Sequence, residues 1–225
     1  TAYGATGANS ISIGKSSQAT GTQAIAIGKE ARSLGYASIA IGDGSRGNAN
    51  WSVATGYNAK SYGDKSHALT NSYASGADSF AAAIANNTSS YGATGANSVA
   101  IGRLAKASGS NSVAIGNFTK AAGAQSVVVG YQSNDTSTGV GAAAFGRNAD
   151  AGSPYSAALG PESVTAGSNN YASALTNSYA SGSNSFAAAI TNNTSSYGAS
   201  GANSVAIGQY SRATGGGGIS IGSAF

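Results

Sequence analysis

The chain has 225 residues, of which 34 are Gly and 2 are Pro, none is Cys or Met, and only 8% are charged. The absence of Cys excludes a disulfide framework, the scarcity of Pro excludes collagen, and an apolar content of 41% with a net charge of +4 excludes a disordered polyelectrolyte. This weak, scattered charge also predicts no nucleic-acid partner, and no apolar run is long enough for direct membrane insertion.

A pentapeptide of the type Ser-Val-Ala-Ile-Gly recurs along the whole chain. It occurs unchanged at Ser98–Gly102, Ser112–Gly116 and Ser204–Gly208. Variants begin at Ser10, Ala24, Ser38, Ser52, Ser66, Ser79, Ser126, Ala142, Ser156, Ala172, Ser185 and Gly218. The step between copies is mostly 14 residues, and 13, 16 or 19 residues occur twice each. A fixed period of this kind predicts a solenoid with one repeat per coil, so we expect a single domain over residues 1–225.

A longer repeat lies over the first one. Residues 70–102 and 176–208 match at all but four positions, which are Ala77/Ser183, Asp78/Asn184, Ala85/Thr191 and Thr94/Ser200. The segment Tyr3–Gly14 resembles the end of a third copy, so we expect the chain to be part of a longer repeat array. The modules at 66–97 and 172–203 are irregular, because Thr70 and Thr176 replace the Gly that ends other copies. Since a β-branched residue disfavours positive φ, these coils are predicted to turn differently.

Each repeat predicts two short strands. We number its leading Ser as position 1 and its Gly as position 5. Val or Ile at positions 2 and 4, on both sides of a small residue at position 3, is the alternation typical of a strand. The Gly at position 5 predicts a turn with positive φ. Small residues at alternate later positions, as in Ala105, Ala107 and Gly109, predict the second strand of the coil.

The width of the coil decides which side chains point inward. Turns of about two residues cannot hold two sheets at their usual separation of about 10 Å, so positions 1, 3, 5, 8, 10 and 12 are expected to face inward. The Val/Ile columns then point outward, where a continuous apolar strip needs a partner, and we expect sister chains to cover it. The alternative packing places Val and Ile inside and an Ala/Ser surface in water.

The motif S-V-A-I-G followed by A-x-A-x-G resembles the head domain of YadA-like trimeric autotransporter adhesins over essentially the whole chain. The resemblance implies an all-β fold, a left-handed parallel β-roll assembled as a homotrimer. It also implies extracellular display on a bacterial cell, anchored in the outer membrane through a region outside this chain. The implied function is adhesion and virulence, with a matrix protein, glycan or other surface as ligand. The alternative is a trimeric phage tail fibre or receptor-binding protein with similar repeats.

All basic residues except Lys65 fall into two columns of the repeat. Position 6 carries Lys15, Lys29, Arg103 and Arg147, and position 9 carries Arg32, Arg46, Lys60, Lys106, Lys120 and Arg212. Stacked coils would align these cations into stripes, which are candidate contacts for anionic glycans, matrix or cell surfaces. The alternative interpretation is that they keep the sheet soluble and prevent edge pairing.

The two 19-residue copies carry polar insertions, which in a solenoid map to loops where ligands often bind. The candidate ligand contacts in them are Asn86, Asn87, Tyr91, Asn192, Asn193 and Tyr197. The two Tyr rings either stack on sugars or cover the side of the roll.

The sequence predicts no catalytic residues, no cofactor and no metal site, and hence no enzyme. His67 is the only His, and Ser173 occupies its place in the second long repeat, so a structural role is expected. The seven acidic residues form no repeated pair, and there is no His/Cys cluster with metal-ligand spacing. A two-carboxylate glycosidase assembled across subunits is the one catalytic alternative.

Overall fold

The computed structural model describes residues 3–85, 89–135, 140–166, 171–191 and 195–223. The chain divides into two compact units, Thr1–Asn111 and Ser112–Phe225. Within the described ranges each unit consists of strands joined by turns, about fifteen coils in all, so the prediction of an all-β parallel solenoid is confirmed. These residues include no helix that could span a bilayer. The assignment of residues 1–225 to one domain stays a prediction.

The strands are short and alternate between the two sides of the coil. The first unit contains β1 Gly4–Ala5, β2 Ile11–Ile13, β3 Gln18–Ala19, β4 Ile25–Ile27, β5 Arg32–Ser33, β6 Ile39–Ile41, β7 Arg46–Gly47, β8 Val53–Thr55, β9 Lys60–Ser61, β10 His67–Leu69, β11 Tyr73–Ala74, β12 Phe80–Ala82, β13 Gly92–Ala93, β14 Val99–Ile101 and β15 Lys106–Ala107. The second unit contains β16 Val113–Ile115, β17 Lys120–Ala121, β18 Val127–Tyr131, β19 Asn134–Asp135, β20 Ala143–Arg147, β21 Asp150–Ala151, β22 Ala157–Leu159, β23 Val164–Thr165, β24 Ser173–Leu175, β25 Tyr179–Ala180, β26 Phe186–Ala188, β27 Gly198–Ala199, β28 Val205–Ile207, β29 Arg212–Ala213 and β30 Ile219–Ile221.

In each unit these strands form two parallel sheets. The even-numbered strands carry positions 2–4 of the repeat and form one sheet, which we call the Val/Ile sheet. The odd-numbered strands carry positions 9 and 10 and form the other, the Arg/Lys sheet. Neighbouring strands pair at equal repeat positions, as where Ile39 pairs with Ile25 and Arg46 with Arg32. Each outward column therefore continues from coil to coil.

The interior of the regular coils is lined by small side chains. At position 3, Ala26, Ala40 and Ala100 are fully buried, whereas Ile41 and Ile115 at position 4 are 39% and 36% exposed. The expectation that small residues face inward and the Val/Ile columns outward is confirmed, and the alternative packing with Val and Ile inside is wrong. Each coil is too narrow for two opposed layers of branched side chains.

Gly at position 5 lies in the turn, so the expectation that it faces the interior is wrong. Gly14 is exposed and Gly28 is half-buried, with φ angles of 127° and 131°. The predicted positive φ is confirmed, and only Gly adopts this region readily. A Cβ added at Gly28 would also lie 2.6 Å from the carbonyl oxygen of Gly42 on the next coil. This turn therefore excludes a side chain by both backbone strain and contact.

The Ser at position 1 is buried and hydrogen-bonded in copies such as those of Ser38, Ser98 and Ser204. Its hydroxyl donates to the carbonyl oxygen three residues earlier, at 2.8 Å from Ser38 to Gly35 and at 2.7 Å from Ser98 to Gly95. The same bond measures 2.6 Å from Ser204 to Gly201. Because buried polar groups are tolerated when they are paired, these bonds let hydroxyls share the interior with Ala.

The irregular modules turn without the Gly, as the sequence predicts. Thr70 and Thr176 lie outside the left-handed region, and the following Asn71 and Asn177 enter it with φ of 54° and 52°. The turn is shortened, yet strand β10 still pairs in parallel register with β8 before it and with β12 after it. The missing residue is thus absorbed by the turn, while the two sheets keep their columns.

The same modules bury the two largest side chains of the interior. Ile84 and Ile190 are fully buried, so the expectation that the interior admits only small groups is wrong at these coils. The backbone remains tied to its neighbours, because Ile84 N donates to Ser72 Oγ at 3.3 Å and Leu104 N donates to Ile84 O at 2.9 Å.

Candidate functional site

Three cations stand side by side on the outer face of the Arg/Lys sheet of the first unit. Arg32 opens β5, Arg46 opens β7 and Lys60 opens β9, and the register pairs Arg32 with Arg46 and Arg46 with Lys60. Period-2 alternation turns the following residues, Ser33 and Ser61, into the interior, so the basic side chains must point outward. We call this row the basic ladder. Neighbouring rungs of a parallel sheet lie about 4.8 Å apart.

The basic ladder borders a cleft of mixed charge. The cleft has a volume of about 300 Å³ and is lined by Lys29, Glu30, Arg32, Asp43, Gly44, Arg46, Tyr57 and Asn58. We call it the mixed-charge cleft. The cleft forms because the turn at positions 6 and 7 lies beside position 9, where the next strand begins. Three successive coils contribute residues from these positions. The cleft is therefore lined by cations, carboxylates, an amide and a phenol.

The charges in the mixed-charge cleft are weakly paired. Lys29 Nζ lies 3.8 Å from Glu30 Oε1, and both side chains are more than half exposed, so this ion pair contributes little. Arg32 and Arg46 are half-buried, and among the residues that the structure describes no carboxylate lies within ion-pair distance of either. Their guanidinium groups are available to an anion from solvent.

An aromatic pair ends the basic ladder. Tyr73 opens β11 and pairs with Lys60, so it occupies the next rung of the same column. Its ring packs edge-on against Tyr62, with the ring centroids 5.4 Å apart and the planes at 85°. Both side chains are half-buried. The column thus passes from charged to aromatic where the irregular module begins.

Within its own unit, none of the other cations at position 9 has a cation as its register partner. Lys106 pairs with Gly92, Lys120 with Asn134 and Arg212 with Gly198. In the second unit the column continues from Asn134 through Asp150 and Val164 to Tyr179. The prediction that the cations align into stripes is confirmed for the three rungs of the basic ladder, whereas Lys120 and Arg212 are separated by uncharged and acidic residues in the second unit. Arg103 and Lys15 are exposed side chains at position 6.

At position 6 of the second unit, Arg147 is held by an ion pair. Its guanidinium donates to Glu162 Oε1 on the following coil at 2.5 Å. This contact joins charged groups on successive coils at the edge formed by the turns. Arg147 therefore differs from Arg32 and Arg46, for which the described residues supply no such partner.

Of the predicted insertion contacts, four lie outside the described residues: Asn86, Asn87, Asn192 and Asn193. Tyr91 and Tyr197 are half-buried. Tyr197 packs against the Ala-lined interior around Ile190, and its ring centroid lies 5.2 Å from that of Tyr210. These contacts favour the interpretation that Tyr197 covers the side of the roll, and its contact with a ligand stays a prediction.

The irregular module of the first unit also opens an apolar groove. Leu69, Thr70, Asn71, Ala83 and Ala85 line a volume of about 480 Å³. The groove lies where the shortened turn of one coil meets the longer coil that follows. It offers little polar surface and no ionisable group, so it supplies no chemistry.

The described residues show no constellation for catalysis or metal binding. His67 is exposed on β10 and pairs with Val53 and Phe80 in the outward column of the Val/Ile sheet. Asp135 is fully buried, and its Oδ2 accepts a hydrogen bond of 2.7 Å from Gly123 N, which indicates a structural role. No group of three or more His, Cys, Asp or Glu side chains is assembled within the described ranges.

Sequence reasoning identified Arg32, Arg46 and Lys60 but missed the members of the mixed-charge cleft that surround them. Glu30, Asp43, Tyr57 and Asn58 were not among the candidates, although all stand at positions 6 or 7 of the repeat. The signal that identifies them is the closeness of positions 6, 7 and 9 around one turn. That closeness follows from the geometry of the coil, and reading each column separately does not reveal it.

The chain matches the model of one known protein family. A family model described as YadA head domain repeat (2 copies) matches residues 5–31, 19–45, 93–119, 107–133, 137–163 and 199–224. Together these windows cover more than half of the chain, and most of the two irregular modules lies outside them. No curated protein matches the sequence.

Proposed function

This chain belongs to the YadA head domain repeat family, and from that premise we propose that it is an adhesive head segment displayed outside a bacterial cell. In this proposal three copies assemble around one axis. The segment holds ligand-binding patches away from the cell and attaches it to a matrix protein, a glycan or another surface. The anchor in the outer membrane lies in a region outside this chain, and no step of catalysis is assigned, so the absence of enzymatic activity stays a prediction.

The observation that carries the proposal is the outward direction of the Val/Ile columns. Ile41 and Ile115 are more than one third exposed, and they belong to outward columns that are mostly apolar and continue from coil to coil in each unit. A contiguous apolar surface of this kind is unfavourable in water and is typical of a protein interface. Burial of the columns between sister chains removes it, and the narrow coils gain the apolar core that each lacks alone.

Assembly supplies the mechanism of attachment. Each chain offers patches of modest affinity, and three chains present every patch three times on one rigid support. Simultaneous engagement raises the overall affinity without any new contact, provided that the ligand surface matches the spacing of the patches. Adhesion should therefore depend on the trimer more strongly than on any single side chain.

Sedimentation velocity on the purified chain tests the assembly. We expect a species three times the mass of the chain. Ile41→Asp places a carboxylate in the apolar column and should release monomers or aggregates, because a buried unpaired charge opposes association. Leu34→Asp is the matched control, since Leu34 is also 39% exposed but follows β5 on the other sheet. A monomeric parent chain, or equal effects of the two variants, would contradict the homotrimer.

Attachment of beads coated with the chain tests adhesion. Beads carrying the parent chain should bind surfaces coated with a matrix protein or a glycan. Beads carrying an equal mass of the Ile41→Asp variant should bind at least about a hundredfold more weakly through the loss of multivalency. If trimeric chains bind none of these surfaces better than beads coated with serum albumin, the adhesive function is wrong.

A further inference from the structure

Two rungs of the basic ladder, Arg32 and Arg46, place like charges on neighbouring strands. Arg32, Arg46 and Lys60 occupy successive rungs about 4.8 Å apart, and like charges on directly opposed strand positions destabilise a sheet. Within the described part of the chain, Arg32 and Arg46 have no acidic partner. A ligand with anionic groups spaced along its length would relieve this repulsion. The row runs along the coil stack and spans about 10 Å from the first to the third cation.

The mixed-charge cleft indicates what else that ligand contains. Glu30 and Asp43 are carboxylates beside the cations, and they accept hydrogen bonds. Asn58 and Tyr57 can both donate and accept, and Tyr57 is 62% exposed. A ligand that satisfies this set needs anionic groups for the Arg side chains and hydroxyl donors for the carboxylates.

A nucleic acid fits these groups poorly. Binding to its phosphate backbone calls for a broad basic surface, whereas the basic ladder is a single row of three cations beside two carboxylates. A polysaccharide that carries carboxylate or sulfate groups has both anions and hydroxyls on each repeating unit. The aromatic pair Tyr62 and Tyr73 at the end of the basic ladder adds an apolar contact for a sugar ring.

We propose that the basic ladder and the mixed-charge cleft bind a linear anionic polysaccharide whose chain runs parallel to the coil stack. The anionic groups pair with Arg32, Arg46 and Lys60, and the sugar hydroxyls donate to Glu30 and Asp43. This inference deepens the proposed function, on which it rests, because it names the chemical class of ligand and the surface that binds it. The site lies wholly within the first unit, on the face opposite the Val/Ile columns.

Fluorescence anisotropy with a labelled heparin hexasaccharide tests the site at physiological ionic strength. The triple variant Arg32→Gln, Arg46→Gln and Lys60→Gln should bind at least about tenfold more weakly, because it removes three charge-assisted contacts. The matched control carries Lys65→Gln, Lys106→Gln and Arg212→Gln, which remove the same charge from positions outside the basic ladder. This control should change affinity less than about threefold.

Three results would overturn the inference. They are an absence of binding by the parent chain, equal losses in the two triple variants, or equally tight binding of a DNA duplex of the same concentration. Circular dichroism and sedimentation of each variant ensure that folding and assembly are retained. A double variant, Glu30→Gln with Asp43→Asn, tests whether the two carboxylates act as hydrogen-bond acceptors. It should weaken binding of the hexasaccharide and strengthen binding of the DNA duplex. Weakening of both ligands, or of neither, counts against the site.

The bead assay separates this inference from the proposed function. If the ladder variant loses the hexasaccharide yet its beads still attach to matrix protein, the site stands and adhesion uses another surface. If the parent chain binds the hexasaccharide but its beads attach to no surface, the site stands and the adhesive function fails. If the beads attach but the parent chain does not bind the hexasaccharide, the adhesive function stands and the proposed polysaccharide site is wrong.

Discussion

The regular coils and the irregular modules both stack in parallel register, but they differ in their turns and in the side chains that they bury. A regular coil closes with Gly at position 5 and holds mostly small groups such as Ala40 inside, with Val128 the largest aliphatic exception. The irregular modules turn at Thr70 and Thr176 without positive φ and then enclose Ile84 and Ile190. Both keep the register of the two sheets. The comparison shows that strand pairing is the fixed feature of the fold, whereas turn and interior vary together.

The comparison extends to the outer surface. Position 9 is Arg or Lys in regular coils such as those of Arg32 and Arg46, but Tyr73 and Gly92 occupy it in the module of the first unit. The module therefore ends the basic ladder as well as the small interior. One change of repeat length alters packing and surface charge at the same coils.

The largest expected effect comes from emptying the wide interior. Ile84→Ala should lower the free energy of unfolding by about 2–5 kcal/mol, because it leaves a cavity among side chains that cannot collapse. Ile190→Ala should do the same in the second unit. The control Leu34→Ala removes a side chain that is 39% exposed and should lower it by about 1 kcal/mol or less. Urea unfolding at a fixed protein concentration measures the free energy of unfolding of all three variants. Equal losses would show that Ile84 and Ile190 contribute no more to stability than the exposed Leu34.

A smaller effect should distinguish the two glycines of a regular turn. Gly28→Ala forces φ of 131° on a side chain and drives its Cβ against Gly42, so a loss of about 1–3 kcal/mol is expected. Gly44 has φ of 67°, and the nearest atom to an added Cβ lies 3.8 Å away, so Gly44→Ala should lose about 1 kcal/mol. Thermal unfolding compares them. A cost for Gly44→Ala as large as that for Gly28→Ala would refute the assigned role of position 5.

The two irregular modules differ at one strained position. Thr191 has φ of 58°, unusual for a β-branched residue, and Ala85 has φ of 57° in the other module. Thr191→Asn should raise the free energy of unfolding by about 1 kcal/mol, because Asn tolerates the left-handed region better. Ala85→Asn should raise it less, since Ala has no γ atoms and is less strained at this φ than a β-branched residue. Guanidinium unfolding provides the test, and a destabilised Thr191→Asn would show that its hydroxyl bond to Ile190 O outweighs the strain.

The smallest effect concerns the charges of the regular coils. Arg46→Thr should stabilise the chain by about 0.2–1 kcal/mol, because it removes the central cation of the basic ladder and supplies a good strand former. Lys106→Thr, whose register partner in the first unit is Gly92, should gain less. Melting temperatures at low salt measure both. A destabilised Arg46→Thr would mean that the ladder supports the sheet.

Sequence periodicity was sufficient to predict most of the fold. The 14-residue step indicated one coil per repeat, and the inward Ala at position 3 followed from the short turns, which cannot separate two sheets widely. The positive φ of Gly14 and Gly28 and the different turn at Thr70 were also predictable, because backbone sterics act locally. Ile84 was missed because it stands at position 6 of its copy, where other copies carry outward side chains such as Lys15 and Lys29.

The sequence by itself determined which residues share a column, because parallel strands with equal repeat length must align like with like. It also determined that Arg32, Arg46 and Lys60 face outward. Only the tertiary structure decided that positions 6, 7 and 9 surround one cleft, that Tyr73 ends the ladder and that the long coil encloses Ile84. These features depend on how turns bend and how far coils widen, which are properties of packed backbone that a linear pattern does not contain.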